Sequence, residues 1–449
     1  MRAALAAGCV AAAAATAQDT ERLRFHRGAG GDGAWRLSRG SSGTPLPWHI
    51  GMNHPEAYWQ PCDAHDEECI KADIFGRLFG HNQTRAALAQ LPLYREWSFT
   101  AAGYDSPPEH MQQLPFLHLT MPLQTCGAGP KAAGESCSGP SCWEVGLHFP
   151  DPWNASTQRS IAARATAACE EIRPHRRNLI GYIWTDTPAF DVAYAQAQRG
   201  SDWVTALRCL PPAAPGRREY SAWLQQRFAS NLGRLCAAYK VPAAACTSWS
   251  ALDLCPIKNT ASPAMMADDE AFMPTIVRAY LSQLNATIKA CDPEANVFTD
   301  TIRWTPDNVI EVIGEFADAI SYQPDDKYFN LTEMARVHRV SGGRPMLIAD
   351  MGFAFPHEGY GKQEWSYYES QEAAGEGRSN PQRLSTRIAS DWAASCCVTA
   401  RRGLQGLCGG ERQERLHRRP KQMSDHRQER HAAGACSECS NGLRTPATL

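Results

Sequence analysis

The chain has 449 residues, which exceeds an average domain but suits one large domain with insertions. Its formal net charge is −2, with 45 Lys and Arg against 47 Asp and Glu, so nucleic acid is not an implied partner. A hydrophobic content of 43% permits a large core.

An alanine-rich stretch with one arginine opens the chain and runs to Ala15-Thr16-Ala17. This pattern predicts a signal peptide over residues 1–17, and the stretch is too short and too weakly apolar for a stable membrane span. Four N-x-S/T sequons agree with export and glycosylation, at Asn82, Asn154, Asn285 and Asn330. We therefore expect a secreted protein.

Seventeen cysteines favour an oxidising compartment. Their spacing predicts local disulfides between Cys62 and Cys69, and between pairs drawn from Cys126, Cys137 and Cys142. A zinc site is the alternative, but no CxxC pair with matching partners occurs between Cys62 and Cys291. Neither a metal nor a cofactor is predicted.

Apolar, β-branched and aromatic runs predict seven buried strands, at residues 48–53, 97–103, 115–121, 179–185, 296–300, 318–323 and 345–350. Helical periodicity or composition marks the segments between them, at residues 85–93, 161–172, 220–239, 272–290, 308–316 and 331–340. Strands that alternate with helices predict an α/β fold, a (β/α)₈ TIM-type barrel over residues 18–392.

A (β/α)₈ barrel requires an eighth strand, and the sequence after residue 392 shows no pattern typical of one. Residues 393–449 contain no Phe, Tyr, Trp or Ile, and one Val. Such a stretch buries too little apolar area to offset chain ordering, so we expect a low-complexity basic tail that is disordered and does not complete the fold. The composition favours a fault in the sequence over a truncated barrel, since an open barrel leaves two unpaired edges. A basic regulatory tail is the other alternative.

Carboxylates follow three of the predicted strands, at Asp186, Asp300 and Asp350. The carboxyl ends of parallel barrel strands meet at one face, so these side chains should converge there. Hydrolysis of a glycosidic bond needs two carboxyl groups, one as acid and one as nucleophile or base. We predict that the pair comes from these three, with Asp186 and Asp350 facing each other across one cleft.

Other polar and aromatic residues near the strand ends are predicted to bind a sugar. Polar side chains would hold hydroxyl groups and aromatic rings would stack on sugar faces, with core packing as the alternative for each ring. The predicted substrate-binding residues are Asn53, His54, Asp151, Trp184, Trp304, Tyr322 and Gln323.

Several of these stretches resemble agarase-like glycoside hydrolases and, more loosely, the retaining β-galactosidase type of barrel. The matching stretches are GMNH at 51–54, FPDPW at 149–153, GYIWTDTP at 181–188, DAISYQP at 318–324 and PMLIAD at 345–350. The resemblance implies a (β/α)₈ barrel, a proton-donor Glu after strand four and a nucleophilic Glu after strand seven. Here Pro188 and Asp350 occupy those positions.

Three functions are compatible with the sequence. A secreted glycoside hydrolase acting on a polysaccharide, such as an agarose-type galactan, accounts for the motif order and the strand-end carboxylates. A catalytically degenerate carbohydrate-binding barrel accounts for Pro188 in place of the expected Glu. A metal-dependent hydrolase built on His54 and the aspartates lacks further His ligands at strand ends.

Overall fold

The structure is a computed structural model that describes residues 22–27, 35–40, 46, 50–53, 78–120, 149–185, 190–199, 201–255, 261–323, 330–352, 368–370, 372–373 and 398–401. All of them belong to the first of the two units into which the chain divides, Met1–Gly403. The predicted signal peptide and the predicted disulfides of Cys62, Cys69, Cys126, Cys137 and Cys142 lie outside the described residues.

Strands and helices alternate along most of the described chain. The strands are β1 (Leu23–Arg27), β2 (Trp35–Arg39), β3 (Ile50–Met52), β4 (Phe116–Leu119), β5 (Leu179–Ile183), β6 (Val297–Thr299), β7 (Ile320–Tyr322), β8 (Met346–Gly352) and β9 (Val398–Arg401). The helices are α1 (Gln83–Glu96), α2 (Pro108–Met111), α3 (Ala155–Glu171), α4 (Val192–Arg199), α5 (Trp203–Arg208), α6 (Pro215–Arg227), α7 (Leu232–Tyr239), α8 (Pro263–Cys291), α9 (Asp307–Phe316) and α10 (Leu331–Val340). Short 3-10 turns cover Arg173–Asn178 and Ala243–Ala245.

Seven strands form two parallel sheets, and β1 pairs with β2 in an antiparallel hairpin. One sheet has the order β3-β9-β8-β7 and the other β4-β5-β6. Backbone hydrogen bonds connect β6 to β7, from Ile302 N to the Ser321 carbonyl (2.9 Å) and from Asp318 N to the Val297 carbonyl (2.7 Å). The predicted α/β class is therefore present, with parallel strands whose carboxyl ends point the same way.

The predicted strand at residues 97–103 is not a strand. Helix α1 extends to Glu96, and Ser98 has a positive φ of 59°, so these residues end the helix and turn the chain. The segment 99–104 nevertheless lies between β3 and β4, because Ala102 N donates to the Pro115 carbonyl at 2.7 Å. On the other side, a Cβ at Gly51 would lie 3.0 Å from the Ala101 carbonyl oxygen, so glycine permits this close approach.

Strand β9 corrects the prediction that no residue beyond 393 completes the fold. Val398 pairs with both Ile50 of β3 and Ile348 of β8, in parallel register on each side. Two neighbouring strands offer unpaired backbone N–H and C=O groups, and these bond to any backbone that lies between them. A four-residue strand with one Val thus forms without the long apolar run that the sequence argument required. The remainder of the predicted tail lies outside the described residues.

The predicted helix at 220–239 is two helices. Helix α6 ends at Arg227, and Ala229 and Ser230 have positive φ angles of 48° and 57°. The side chain of Asn231 then accepts a hydrogen bond from Arg234 N and begins α7. The apolar periodicity of the segment conceals this break, whereas its Ser-Asn pair is a normal helix-start signal.

Two apolar clusters hold the layers together. The larger cluster lies between strands and helices. Its members on α8 include Phe272, Ile276, Val277, Leu281, Leu284 and Ile288. The second contains strand residues that face the other way, among them Leu117, Ile183, Phe298 and Leu347, with Leu23 and Leu37 of the β1–β2 hairpin. Alternation along each strand divides its side chains between the two clusters.

Two buried aspartates near the start of α8 anchor the helical insertion of residues 203–239. Asp269 forms an ion pair with Arg208 of α5 (2.5 Å) and accepts from the Tyr220 hydroxyl (2.7 Å). Asp268 pairs with Arg227 (3.0 Å), whose side chain is 60% exposed. Ion pairs in the interior are costly to break, because each partner is left as an uncompensated charge.

Three disulfides lie within the described residues, Cys169–Cys291, Cys209–Cys255 and Cys236–Cys246. The first connects α3 to the end of α8 across 122 residues, and the others brace the insertion. None was among the pairs predicted from spacing. The fold brings together the partners of the two longer-range disulfides, whereas Cys236 and Cys246 are only 10 residues apart. No helix within the described ranges has the length and apolarity to cross a membrane.

We predict that Asp269→Ala lowers the free energy of unfolding by about 3–5 kcal/mol, since the substitution removes the carboxylate of a buried ion pair. Asp268→Ala should cost distinctly less, about 1–2 kcal/mol, because solvent reaches Arg227. Urea denaturation of both variants measures the two losses. Equal losses would contradict the assignment of the Arg208–Asp269 pair as the buried anchor.

Candidate active site

Asp350 lies near the carboxyl end of β8 and is 3% exposed. Its Oδ2 accepts a hydrogen bond from the Tyr104 hydroxyl at 2.9 Å, and its Oδ1 accepts from Asn53 Nδ2 at 3.3 Å. Asn53 is itself fixed, since Nδ2 also donates to the Ala349 carbonyl and Oδ1 accepts from Tyr104 N. Two neutral donors therefore orient one buried carboxylate.

The three residues of this cluster come from distant parts of the sequence. Asn53 follows β3, and Tyr104 ends the extended segment 99–104 beside it. Asn53 and Asp350 were predicted as site residues, whereas Tyr104 was not. A signal for Tyr104 exists in the sequence, because the predicted second strand ends at Gly103-Tyr104-Asp105, but only the fold shows that its hydroxyl reaches Asp350.

Asp300 is fully buried behind the end of β5. Its Oδ1 accepts hydrogen bonds from the Tyr280 hydroxyl and from Thr185 N, both at 3.0 Å. Desolvation raises the pKa of the Asp300 carboxyl to about 7, against the lowering effect of these hydrogen bonds. Asp300 has no solvent-exposed surface, and its Oδ1 supports the chain at Thr185. Its predicted catalytic role stays a prediction.

Backbone strain precedes Asp300. Thr299 has a φ of 62°, a conformation that a β-branched residue rarely adopts. The pairing of β5 with β6 is also irregular between Tyr182 and Ile183. Such strain is retained where surrounding contacts enforce it, and it often accompanies functional sites. Here it lies at the carboxyl end of β6, one residue before the buried carboxyl group.

Trp304 is an exposed aromatic on the loop after β6, with 46% of its surface accessible. Its ring lies 4.7 Å from the ring of Tyr194 on α4, and the Arg303 guanidinium lies 4.1 Å from its centroid. The predicted substrate-binding role of Trp304 thus agrees with its exposure. Tyr194 was not predicted, because nothing in its local sequence distinguishes it from a helix-surface tyrosine.

Two other predicted stacking residues lie in the core. Trp184 is 0% exposed and stacks on Tyr182, and Tyr322 is 6% exposed in the same cluster. Burial raises the pKa of the Tyr322 hydroxyl to about 12. Both rings face the helices because side chains alternate along a strand, so neither offers a face to a sugar. The alternative of core packing is correct for both.

Asp151 has a structural role, because both of its carboxylate oxygens accept hydrogen bonds from backbone N–H groups. Its Oδ1 accepts from Trp153 N at 2.9 Å and its Oδ2 from Gly216 N at 2.8 Å. The second bond fixes the first turn of α6, where free N–H groups favour a negative charge. A Cβ at Gly216 would lie 2.6 Å from Asp151 Oδ1, so this contact depends on glycine.

Several buried polar atoms near the carboxyl ends of the strands accept no hydrogen bond within the described chain. They are Thr120 Oγ1 after β4, Asp300 Oδ2 after β6 and Gln323 Oε1 after β7. Buried polar atoms are normally satisfied by protein or water, so a set of them at one edge of the strands fits a site for polar molecules. Gln323 was predicted as a substrate-binding residue, and its position agrees.

Seven described aspartates are buried, and they fall into three groups according to the partners of their carboxyl groups. Asp268, Asp269 and Asp292 pair with arginine. Asp151 and Asp202 accept from backbone N–H groups at helix starts. Asp300 and Asp350 have hydrogen-bond donors but no cationic partner among the residues that the structure describes. Asp300 follows β6 and Asp350 lies near the end of β8, so both carboxyl groups lie at the carboxyl ends of parallel strands.

His54 and Asp186 lie outside the described residues. The predicted convergence of Asp186 with Asp350, and the distance between their carboxyl groups, therefore stay predictions. Among the described residues no group of three His, Cys, Asp or Glu side chains is arranged to hold a metal ion.

The fold is shared with solved agarase structures. One is an exo-β-agarase with a TM-score of 0.63 and 13% sequence identity, over 85% of this chain and 59% of that chain. Another is an agarase with a TM-score of 0.63 and 14% identity, over 86% of this chain and 59% of that chain. This chain thus spans about three-fifths of the length of each. No protein-family model and no curated protein sequence matches it.

We predict that Asp300 makes the free energy of unfolding depend on pH. Its folded-state pKa of about 7 exceeds the ordinary 3.8, so the unfolded chain loses this proton first as the pH rises. The wild-type protein should therefore lose stability relative to Asp300→Asn between about pH 4 and 7, by up to about 1.4 kcal/mol per pH unit, and the difference should level off above pH 7. Urea denaturation across this range measures it. A difference independent of pH would contradict a protonated Asp300 in the folded protein.

Proposed function

We propose that the chain is a glycoside hydrolase that acts on a polysaccharide, with an agarose-type galactan as the first candidate. The observation that carries the proposal is Asp350, a buried carboxylate that Asn53 and Tyr104 orient and that has no cationic partner within the described part of the chain. Its position at the carboxyl end of a parallel strand, in a fold shared with agarases, supports the same conclusion.

The proposal includes a (β/α)₈ barrel. Neighbouring segments follow the order β3, 99–104, β4, β5, β6, β7, β8 and β9, and β9 pairs again with β3. Eight positions, one of them occupied by an extended segment without regular pairing, are what a barrel of this type requires. In that arrangement Asn53 and Tyr104 come from the first two positions and Asp350 from the seventh, with β9 between β8 and β3.

Asp350 would act as the nucleophile or as the base. An ionised carboxylate either attacks the anomeric carbon, forming a glycosyl ester, or removes a proton from the attacking water. In both cases the glycosidic bond breaks and the leaving oxygen receives a proton from a second carboxyl group. The Tyr104 and Asn53 hydrogen bonds aim the Asp350 oxygens and restrict their rotation, which reduces the entropy lost on reaching the transition state.

We propose Asp186 as that second carboxyl group. It follows Thr185, whose N–H is fixed by Asp300, so the buried acid would act as a positioning residue for the chain that carries Asp186. This arrangement replaces the Glu that the agarase resemblance places at position 188, where this chain has proline.

A carbohydrate-binding barrel without catalysis is the second candidate function, and Pro188 favours it. A binding protein needs oriented polar groups and an aromatic surface, and it needs no acid that donates a proton to the leaving group. Sugar binding without release of reducing ends would identify this function.

We also propose that the protein is secreted after cleavage behind Ala17. The three described disulfides support an oxidising destination. At three of the four sequons, Asn82, Asn154 and Asn330, the side-chain oxygen caps a helix, which leaves the amide nitrogen to carry a glycan.

We predict that Asp350→Asn lowers kcat for release of reducing ends by about 10²- to 10⁴-fold on whichever polysaccharide the wild-type protein cleaves, because an amide can neither attack nor accept a proton. Substrate panels of agarose, other galactans and β-glucans identify the substrate. Asp151→Asn is the matched control, since Asp151 is a buried aspartate with a structural role in the loop before α3. It should lower thermal stability and leave kcat per folded molecule within about twofold. Equal kcat losses in both variants would contradict the assignment of Asp350.

The secretion proposal predicts that expression in a eukaryotic secretory system yields a protein in the medium whose N-terminus is Gln18. Mass spectrometry of the N-terminal peptide identifies that residue as glutamine or as its cyclised pyroglutamate form, and treatment with an N-glycosidase shows whether glycans are present. Retention of the full chain inside the cell, with residue 1 still attached, would contradict it.

A further inference from the structure

Trp304 combines exposure with backbone strain. Its φ is 45°, in the left-handed region that bulky side chains rarely occupy, although 46% of its surface is accessible. An exposed tryptophan gains little from burial, so packing alone does not explain why this strained conformation is kept. Strain that packing does not explain points to a function for the side chain.

Surrounding contacts hold the strained loop in place. Arg336 of α10 donates to the Thr305 carbonyl at 3.0 Å, and the same guanidinium pairs with Asp307 and with Glu333. The loop between β6 and α9 is thereby fixed from a second helix. The position of the Trp304 ring is consequently predetermined, and a ligand that binds it need not order the loop.

Polar groups border the Tyr194–Trp304 pair, the two rings that lie 4.7 Å apart. Arg303 lies against Trp304, and Asp191 accepts a hydrogen bond from Tyr194 N at 2.7 Å. Aromatic rings flanked by carboxyl and guanidinium groups match a sugar, whose ring has apolar C–H faces and a rim of hydroxyls.

We propose that Tyr194 and Trp304 form a saccharide subsite that binds the apolar face of one pyranose ring of a polysaccharide. Both residues follow strands at the edge where Asp350 lies, Tyr194 after β5 and Trp304 after β6. The subsite would therefore bind a sugar of the same chain that Asp350 cleaves, and in this respect it rests on the proposed function. Its occupant is a neutral saccharide ring and not a second protein.

The decisive variant is Trp304→Gly. Glycine adopts a positive φ without strain, so the melting temperature should stay unchanged or rise. Affinity for the polysaccharide should nevertheless fall at least about tenfold, which is 1.4 kcal/mol of binding free energy. Opposite effects on stability and affinity distinguish a ligand-binding tryptophan from one that only packs. Leu331→Ala is the matched control, because Leu331 is similarly exposed at 42%, and it should not change affinity.

The measurements are affinity electrophoresis through gels containing agarose, a soluble β-galactan or a β-glucan, and hydrolysis of the same polymers. An unchanged affinity in Trp304→Gly would overturn the subsite, as would failure of the wild-type protein to bind any polymer. Binding that depends on Trp304 but proceeds without hydrolysis would support the subsite and overturn the hydrolase. Hydrolysis with a raised KM and an unchanged kcat in Trp304→Gly would support both.

Discussion

A buried carboxylate is stable only where donors or cations surround it, and this constraint fixes α8 against the rest of the fold. Asp268 and Asp269 near its start pair with arginines of α6 and α5. Asp292, one residue beyond its end, pairs with Arg22 and accepts from the Tyr182 hydroxyl of β5 at 3.2 Å. Any displacement of the helix would leave these charges without partners, so its position relative to β5 is strongly determined.

Helix α8 also contacts the candidate site, through the side chain of Tyr280. Its hydroxyl and Thr185 N share one oxygen of Asp300, so the end of β5 is tied to α8 by a carboxyl group. The strained φ of Thr299 directs the chain into this arrangement, at a cost of about 1–3 kcal/mol that the surrounding contacts offset. Structural charges on one helix and the geometry of the strand ends are thus parts of one network.

Sequence patterns predicted elements that depend on local properties. Helix α10 has the predicted bounds, and Asp350 was found because an apolar run ends in a carboxylate. Partners contributed by distant segments were not predictable, as with Tyr104, which is 246 residues from Asp350. Trp184 was misplaced because composition does not show which face of a strand a residue occupies. Strand β9 was missed because its pairing depends on the backbones of β3 and β8 and little on its own side chains.

An arginine partner distinguishes Asp269 from the candidate catalytic Asp350. Arg208 forms a buried ion pair with Asp269, which suits an anchor. Asp350 is also buried, and the donors that reach it from the described residues, Asn53 and Tyr104, are both neutral. An uncompensated buried carboxylate costs several kcal/mol of stability. A developing positive charge at an anomeric carbon is the kind of partner that would use it, since the attraction would be greatest in the transition state and weaker in the neutral ground state.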